Sequence, residues 1–131
     1  MVQIKETAND QFQTKPDSKS LVEMVIEGMK EKKATKITVM DVSDLTTLTD
    51  YFVICSGTSD TQIKAIADSV EEEIRKNTGE KPWKKEGIQS RNWIILDFIN
   101  IVVHVMSREK RDFYSIESVW NDARITYIDD E

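Results

Sequence analysis

Regular hydrophobic spacing begins near residue 20 of the chain. Leu21, Val25 and Met29 recur every four residues, and Ser20 opens a capping-box pattern with a glutamate three residues later. This spacing predicts an amphipathic helix that starts at about residue 20. Residues 1–19 carry only scattered apolar side chains, so they are predicted to form a mobile N-terminal arm.

Two strands and a second helix follow in the pattern. Residues 36–42 alternate between two faces, and residues 51–55 form a continuous apolar run, which is typical of a strand covered on both sides. Ser59 opens a second capping box. The helical stripe from Ile63 to Ile74 then predicts a long helix that Gly79 ends.

The remaining pattern predicts a hairpin and a short helical end. Residues 93–98 and 101–106 are β-rich runs separated by two residues, and a short edge strand is expected around residues 87–89. Two helical turns over residues 109–120 can cap the sheet. We therefore expect one α/β domain over residues 20–120, two-layer or sandwich, with a mixed sheet of four to five strands and flanking helices. Residues 121–131 are predicted to be an acidic tail.

Both faces of the strand that begins at Trp93 are apolar. Trp93 and Ile95 share one face, while Ile94 and two further apolar residues take the other. If helices cover the second face, Trp93 and Ile95 are exposed beside His104 and Met106 of the neighbouring strand. An exposed patch of this kind is typical of a protein interface. The alternative is that Trp93 belongs to a core under the C-terminal segment.

Composition narrows the class of protein. The 131 residues carry a net charge of -6, one cysteine and one histidine. An intramolecular disulfide and a zinc site of the usual three or four ligands are therefore excluded, and bulk binding to nucleic acid is disfavoured. No apolar run is long enough to span a bilayer, so we expect a cytoplasmic protein.

Candidate catalytic chemistry is sparse. The turn at Ser56 and Gly57 resembles the small turn with which nucleotidyl transferases admit a triphosphate, but no strand offers the paired carboxylates that hold the metals. The turn is also explained as a strand end followed by an N-cap. Cys55 is predicted to be a small buried hydrophobe, and His104 a packed or interface residue. We predict no enzyme, catalytic residue, metal or cofactor, and keep a metal-dependent nucleotidyl transferase as the alternative.

Several motifs together resemble one family. The motifs are Asp41-Val42-Ser43, Asp50-Tyr51-Phe52-Val53-Ile54-Cys55-Ser56-Gly57-Thr58-Ser59, Ile66-Ala67-Asp68, Glu86-Gly87, Trp93-Ile94-Ile95-Leu96-Asp97-Phe98, Val102-Val103-His104-Val105-Met106, Phe113-Tyr114 and Val119-Trp120. From about residue 20 to residue 120, this string of motifs resembles the ribosomal silencing factor family, RsfS, also called Iojap.

The resemblance implies a nucleotidyltransferase-like fold without catalytic acids. It implies binding to the large ribosomal subunit through ribosomal protein L fourteen, a block to joining of the small subunit, and translation repressed when nutrients are short. Trp93 would be the interface tryptophan, with Ile95, His104 and Met106 near it and Tyr114 contributing or packing. The resemblance also implies a homodimer when the protein is free. A homodimeric adaptor without a ribosomal role is the remaining alternative.

The chain departs from the family at the hairpin turn. The family usually has Gly-Asp where this chain has Ile99 and Asn100. Glycine readily adopts the positive φ of a tight hairpin turn, and β-branched isoleucine resists it. The hairpin is still predicted, but the turn type is open.

Overall fold

The computed structural model describes residues 17–128. Residues 1–16 of the predicted arm and residues 129–131 of the predicted tail lie outside the described residues. The helices are α1 (Ser18–Glu31), α2 (Asp60–Thr78), α3 (Arg108–Tyr114) and α4 (Ile116–Val119). The strands are β1 (Thr35–Asp41), β2 (Tyr51–Gly57), β3 (Lys84–Glu86), β4 (Trp93–Asp97), β5 (Ile101–Ser107) and β6 (Arg124–Tyr127).

All six strands form one sheet in the order β3-β4-β5-β2-β1-β6. Strands β2 and β5 run parallel and the other neighbours run antiparallel, so the predicted mixed α/β sheet is confirmed. The expected four to five strands were too few because both sheet edges are short strands. Strand β3 precedes the predicted residues 87–89. Strand β6 pairs with β1 inside the stretch that was expected to be a tail.

Helix α1 starts earlier than the sequence predicted. The carboxylate of Asp17 accepts a hydrogen bond from the backbone N–H of Ser20 at 2.9 Å, so Asp17 is the N-cap. The prediction that Ser20 caps the helix was therefore wrong, and residues 18 and 19 belong to the helix. A short carboxylate serves well here because it satisfies a free N–H and faces the positive end of the helix dipole.

Helix α2 has the predicted ends. Ser59 Oγ accepts from the N–H of Gln62 at 3.1 Å, and Gly79 ends the helix with φ 78°. The Gln62 side chain donates to the carbonyls of Lys32 and Lys33, which ties the start of α2 to the end of α1. Among residues 17–128, no helix combines the length and the apolar character needed to cross a membrane.

Helices α1 and α2 cover one face of the sheet and form the main core with it. Ile94, Leu96 and Phe98 of the hairpin point into this core, as the sequence analysis proposed. The two helices approach closely at Gly28, where an added Cβ would lie 2.8 Å from the Cα of Val70. The face that carries Trp93 therefore lies on the other side of the sheet.

A second, smaller core lies on that other face. Three of its four buried members, Met40, Ile54 and Met106, lie on β1, β2 and β5, and Ile116, Trp120 and further residues of the C-terminal segment pack against this core. The segment from α3 to β6 thus covers part of this face. Ile116 and Trp120 therefore cap the sheet as predicted, whereas Phe113 and Val119, which were expected to do the same, are exposed.

The hairpin between β4 and β5 turns tightly at Ile99. Ile99 has φ 76°, and the N–H of Asn100 donates to the carbonyl of Phe98 at 2.9 Å. A hydrogen bond between residues two apart with positive φ between them defines a γ-turn, which is strained for a residue with a Cβ. The carboxylate of Asp97 accepts the Ile99 N–H at 2.8 Å and stabilises the turn.

Candidate binding surface

The five residues predicted for partner binding lie together on the sheet face opposite α1 and α2. Across β4 and β5, Trp93 pairs with Met106 and Ile95 pairs with His104. Helix α3 contributes Tyr114, whose ring centroid lies 4.9 Å from that of Trp93. Sequence reasoning therefore identified a contiguous set of side chains.

These five residues are not equally accessible. Tyr114 is 45% exposed, and Trp93 and Ile95 are half-buried. His104 is only 8% exposed and Met106 is fully buried. The surface is thus formed by Trp93, Ile95 and Tyr114, whereas His104 and Met106 lie beneath it because the C-terminal segment and the neighbouring rings cover them.

His104 fixes the orientation of the Trp93 ring. The indole Nε1–H of Trp93 donates to Nδ1 of His104 at 3.0 Å. Because an indole can only donate, Nδ1 must be unprotonated to accept this bond. Burial, assisted by the positive charge of Arg111, lowers the pKa of His104 to about 4. The imidazole is therefore neutral near pH 7 and holds the Trp93 indole as a hydrogen-bond acceptor.

Aromatic rings continue the surface in two directions. Phe52 packs edge-on against His104 and Trp120, with centroids 5.5 Å and 5.4 Å away. On the other side, Phe113 packs edge-on against Tyr114 at 4.9 Å. Such contacts stabilise ring positions beyond simple area burial. The rings form a connected aromatic layer that is open to solvent at Phe113 and Tyr114.

A buried arginine connects the helix that carries Phe113 and Tyr114 to the sheet by hydrogen bonds. Arg111 of α3 is 9% exposed, and its guanidinium donates to the Lys36 carbonyl at 2.8 Å, to Thr38 Oγ1 at 2.9 Å and to Ser56 Oγ at 3.1 Å. It also donates through two nitrogens to Glu117 Oε2, at 2.7 and 3.1 Å. Burial disfavours ionisation of Glu117, but the hydrogen bonds that its carboxylate accepts from Arg111 and from its own backbone N–H, together with the positive charge of Arg111, outweigh burial and lower its pKa.

Sequence reasoning missed the Arg111 network. The segment containing Arg111 was predicted only to form helical turns that cap the sheet. Three of the four acceptor groups come from distant parts of the chain. The Lys36 carbonyl is available because β1 bulges there, with Lys36 at φ 53°. No local pattern marks such a network, although Ser56 was singled out for another reason.

An apolar groove of about 600 Å³ lies at the far end of the same sheet face. Leu48, Trp83 and Ile99 contribute exposed apolar side chains to it. Thr49 lines the groove, and its buried Oγ1 has no hydrogen-bond partner. The open face therefore extends from Tyr114, past Ile95, to this groove.

The turn at Ser56 and Gly57 has a packing explanation. Ser56 Oγ accepts from Arg111, and a Cβ on Gly57 would lie 2.9 Å from Cγ1 of Ile63 in α2. Within residues 17–128, no three acidic, histidine or cysteine side chains are grouped so as to hold a metal ion. Complete burial raises the pKa of Cys55 to about 12, so its thiol is not an activated nucleophile.

Known proteins match nearly the whole chain. The profile of the family described as ribosomal silencing factor during starvation, RsfS, matches residues 15–131. The chain is 32% identical over 113 residues to the ribosomal silencing factor RsfS of Bacillus subtilis, covering 86% of this chain and 95% of that protein. Identity to the Haemophilus influenzae ribosomal silencing factor RsfS is 36% over 101 residues, covering 77% and 98%.

Solved structures agree with the sequence matches. A crystal structure of a Chromobacterium violaceum protein superposes with a TM-score of 0.78 at 29% identity, covering 88% of this chain and 96% of that one. The family profile, the relatives and the fold all point to the family that the motifs resembled. The chain belongs to the ribosomal silencing factor family, RsfS.

Proposed function

We propose that this protein binds the large ribosomal subunit through ribosomal protein L fourteen and sterically blocks joining of the small subunit. In this role it represses translation in the cytoplasm when nutrients are limiting. Its relatives carry the name ribosomal silencing factor, and the family description ties silencing to starvation. These names favour a regulatory role over an enzymatic one.

The aromatic pair of Trp93 and Tyr114 carries this proposal. Both rings lie on the sheet face that α1 and α2 leave free, and Ile95 continues the apolar area beside them. Tryptophan and tyrosine are the residue types enriched at the energetic centres of protein interfaces. A partly exposed pair that is already held in place by packing suits a protein partner.

The distribution of charge indicates the type of partner. The chain has a net charge of -6, and residues 41–60 carry four acidic residues and no basic one. An acidic protein is repelled by ribosomal RNA and attracted by a basic ribosomal protein. We therefore expect contact with protein rather than dominant direct contact with nucleic acid, and no membrane or cofactor.

The same surface suggests an oligomeric state for the protein when it is not bound to the ribosome. Two copies that pair through Trp93 and its neighbours would bury the aromatic area while no ribosome is bound. We propose a homodimer of this kind, which large subunits would dissociate by competition. Light scattering of the wild type and of Trp93→Ala, with and without large subunits, tests this pairing separately.

The decisive experiment is co-sedimentation with large subunits. Trp93→Ala should weaken binding by about 2 kcal/mol, as at interface hot spots. Glu27→Ala provides the control, because Glu27 is exposed on α1, on the opposite side of the sheet. Circular dichroism must show that both variants are folded. Unchanged binding by folded Trp93→Ala would refute the assignment of this face.

Subunit joining tests the inhibitory role itself. Purified large and small subunits are mixed with and without saturating wild-type protein, and the joined fraction is read from a sucrose gradient. We expect fewer joined ribosomes with the wild type and normal joining with Trp93→Ala. An unchanged joined fraction with wild-type protein would overturn the proposed function.

A further inference from the structure

Helix α3 is attached to the sheet in an unusual way. Arg111 is its one buried residue, and α4 has none, among the residues the structure describes. Most helices are held by an apolar stripe. Here a polar side chain reaches under the helix to acceptors on β1, β2 and α4. The position of α3 is thus determined largely by the hydrogen bonds of one guanidinium.

Tyr114 depends on that attachment. It follows Arg111 by three residues, so the two side chains project from neighbouring positions of the same helix. Its ring contacts Trp93 on the sheet and Phe113 on α3, both at 4.9 Å between centroids. Any change in how α3 docks therefore moves Tyr114 relative to Trp93.

We infer that Arg111 and Glu117 are positioning residues for the binding surface, holding the Tyr114 ring against Trp93 in the geometry that receives the partner. The effect on partner binding rests on the function proposed above. Neither residue needs to touch the partner. The charged pair faces inward, with side chains 9% and 25% exposed, and acts on the partner only through Tyr114.

The shape of the guanidinium explains why arginine is needed. Its planar fork reaches four acceptor groups that lie on three different elements. A lysine ammonium is a compact charge with three donors and cannot span the same set. Arg111→Lys keeps the charge and loses the fork, so it separates positioning from simple electrostatics. Glu117→Gln is the second variant, because it removes the ion pair and preserves the side-chain shape.

The first measurement is made on the protein alone. In NMR spectra of the full chain, we expect nuclear Overhauser contacts between the Tyr114 and Trp93 rings in the wild type. Arg111→Lys should weaken or abolish them while leaving contacts in the main core unchanged. Arg108→Lys is the matched control, because it places the same substitution at an exposed position of α3. Persistent ring contacts in both Arg111→Lys and Glu117→Gln would overturn the inference.

The second measurement is a double-mutant cycle on binding to large subunits. We expect Arg111→Lys to weaken binding about tenfold in the presence of Tyr114, and to have little further effect in a Tyr114→Ala background, since coupled residues are not additive. Equal losses in both backgrounds would refute positioning through Tyr114. If Arg111→Lys does not fold, the same cycle is run with Glu117→Gln.

The two measurements separate this inference from the proposed function. If wild-type protein does not bind large subunits, the proposed function fails, and the ring contacts still report whether Arg111 positions Tyr114. If the wild type binds and Arg111→Lys loses the ring contacts without losing affinity, the proposed function stands and the positioning role is wrong.

Discussion

Mild acid should destabilise this protein through His104. Burial lowers the pKa of His104 in the folded chain to about 4 from its ordinary value of 6.5, with Arg111 adding to the shift. At a pH between these two values, His104 therefore binds a proton in the unfolded chain but not in the folded chain. Because the pKa of His104 is lower in the folded chain, its contribution to the free energy of unfolding is fully present above the unfolded pKa. That contribution is lost as the pH falls from about 6.5 toward 4.

The size of the effect follows from the two pKa values of His104. Their difference corresponds to about 3 kcal/mol when titration is complete. Between pH ~7.5 and pH ~5 the free energy of unfolding should fall by about 2 kcal/mol. Carboxylates with lowered pKa values, such as Asp41 and Glu117, contribute mainly below this window. The window therefore isolates the histidine.

Urea denaturation at a series of pH values measures this loss, and His104→Asn is the matched variant. Asparagine offers an acceptor oxygen close to the place of Nδ1, so Trp93 keeps a partner, and it does not titrate in this range. The variant has a different absolute stability, but its curve should be nearly flat from pH ~7.5 to pH ~5. A wild-type curve parallel to that of His104→Asn would refute the reasoning.

Two substitutions test backbone features by urea denaturation. Ile99 has φ 76°. The Ile99→Gly variant should therefore have a free energy of unfolding about 1 kcal/mol higher than the Ile99→Ala variant, because the relief of backbone strain exceeds the conformational entropy that glycine loses on folding. Equal or reversed free energies would contradict the strained turn. Gly28→Ala should lower the free energy of unfolding by about 2 kcal/mol, because its Cβ would lie 2.8 Å from Val70 Cα. The control Glu27→Ala, at an exposed position of the same helix, should change the free energy of unfolding by no more than about 0.5 kcal/mol. If Gly28→Ala leaves the free energy of unfolding unchanged, the two helices can separate at no cost.

Alternation made the hairpin predictable. Ile94, Leu96 and Phe98 are consecutive members of one strand face, and all three are buried under the helices. The period of two in a strand assigns each side chain to a face without knowledge of the neighbours. The same reasoning placed Trp93 and Ile95 on the opposite face. It could not tell how much of that face the chain itself covers, which is why His104 and Met106 were included among the residues predicted to bind a partner.

The missed features depend on contacts that are distant in sequence. Strand β6 was hidden because its four residues lie in an acidic stretch, and only their pairing with β1 makes them a strand. Arg111 was missed for the same reason, since Lys36 and Thr38 lie more than seventy positions away. The N-cap at Asp17 was missed because Ser20 offered an equally good local pattern.

The two faces of the sheet are stabilised by different physical means, and the difference suits a binding protein. Apolar burial under α1 and α2 supplies stability on one face and needs no directional contacts. On the other face, the smaller apolar core is supplemented by the Trp93 to His104 hydrogen bond and the Arg111 network, which are directional and orient half-exposed rings. An aromatic surface that is fixed before binding loses less conformational entropy when a partner arrives. The proposed interface therefore requires the buried polar groups beneath it as much as the rings that a partner would touch.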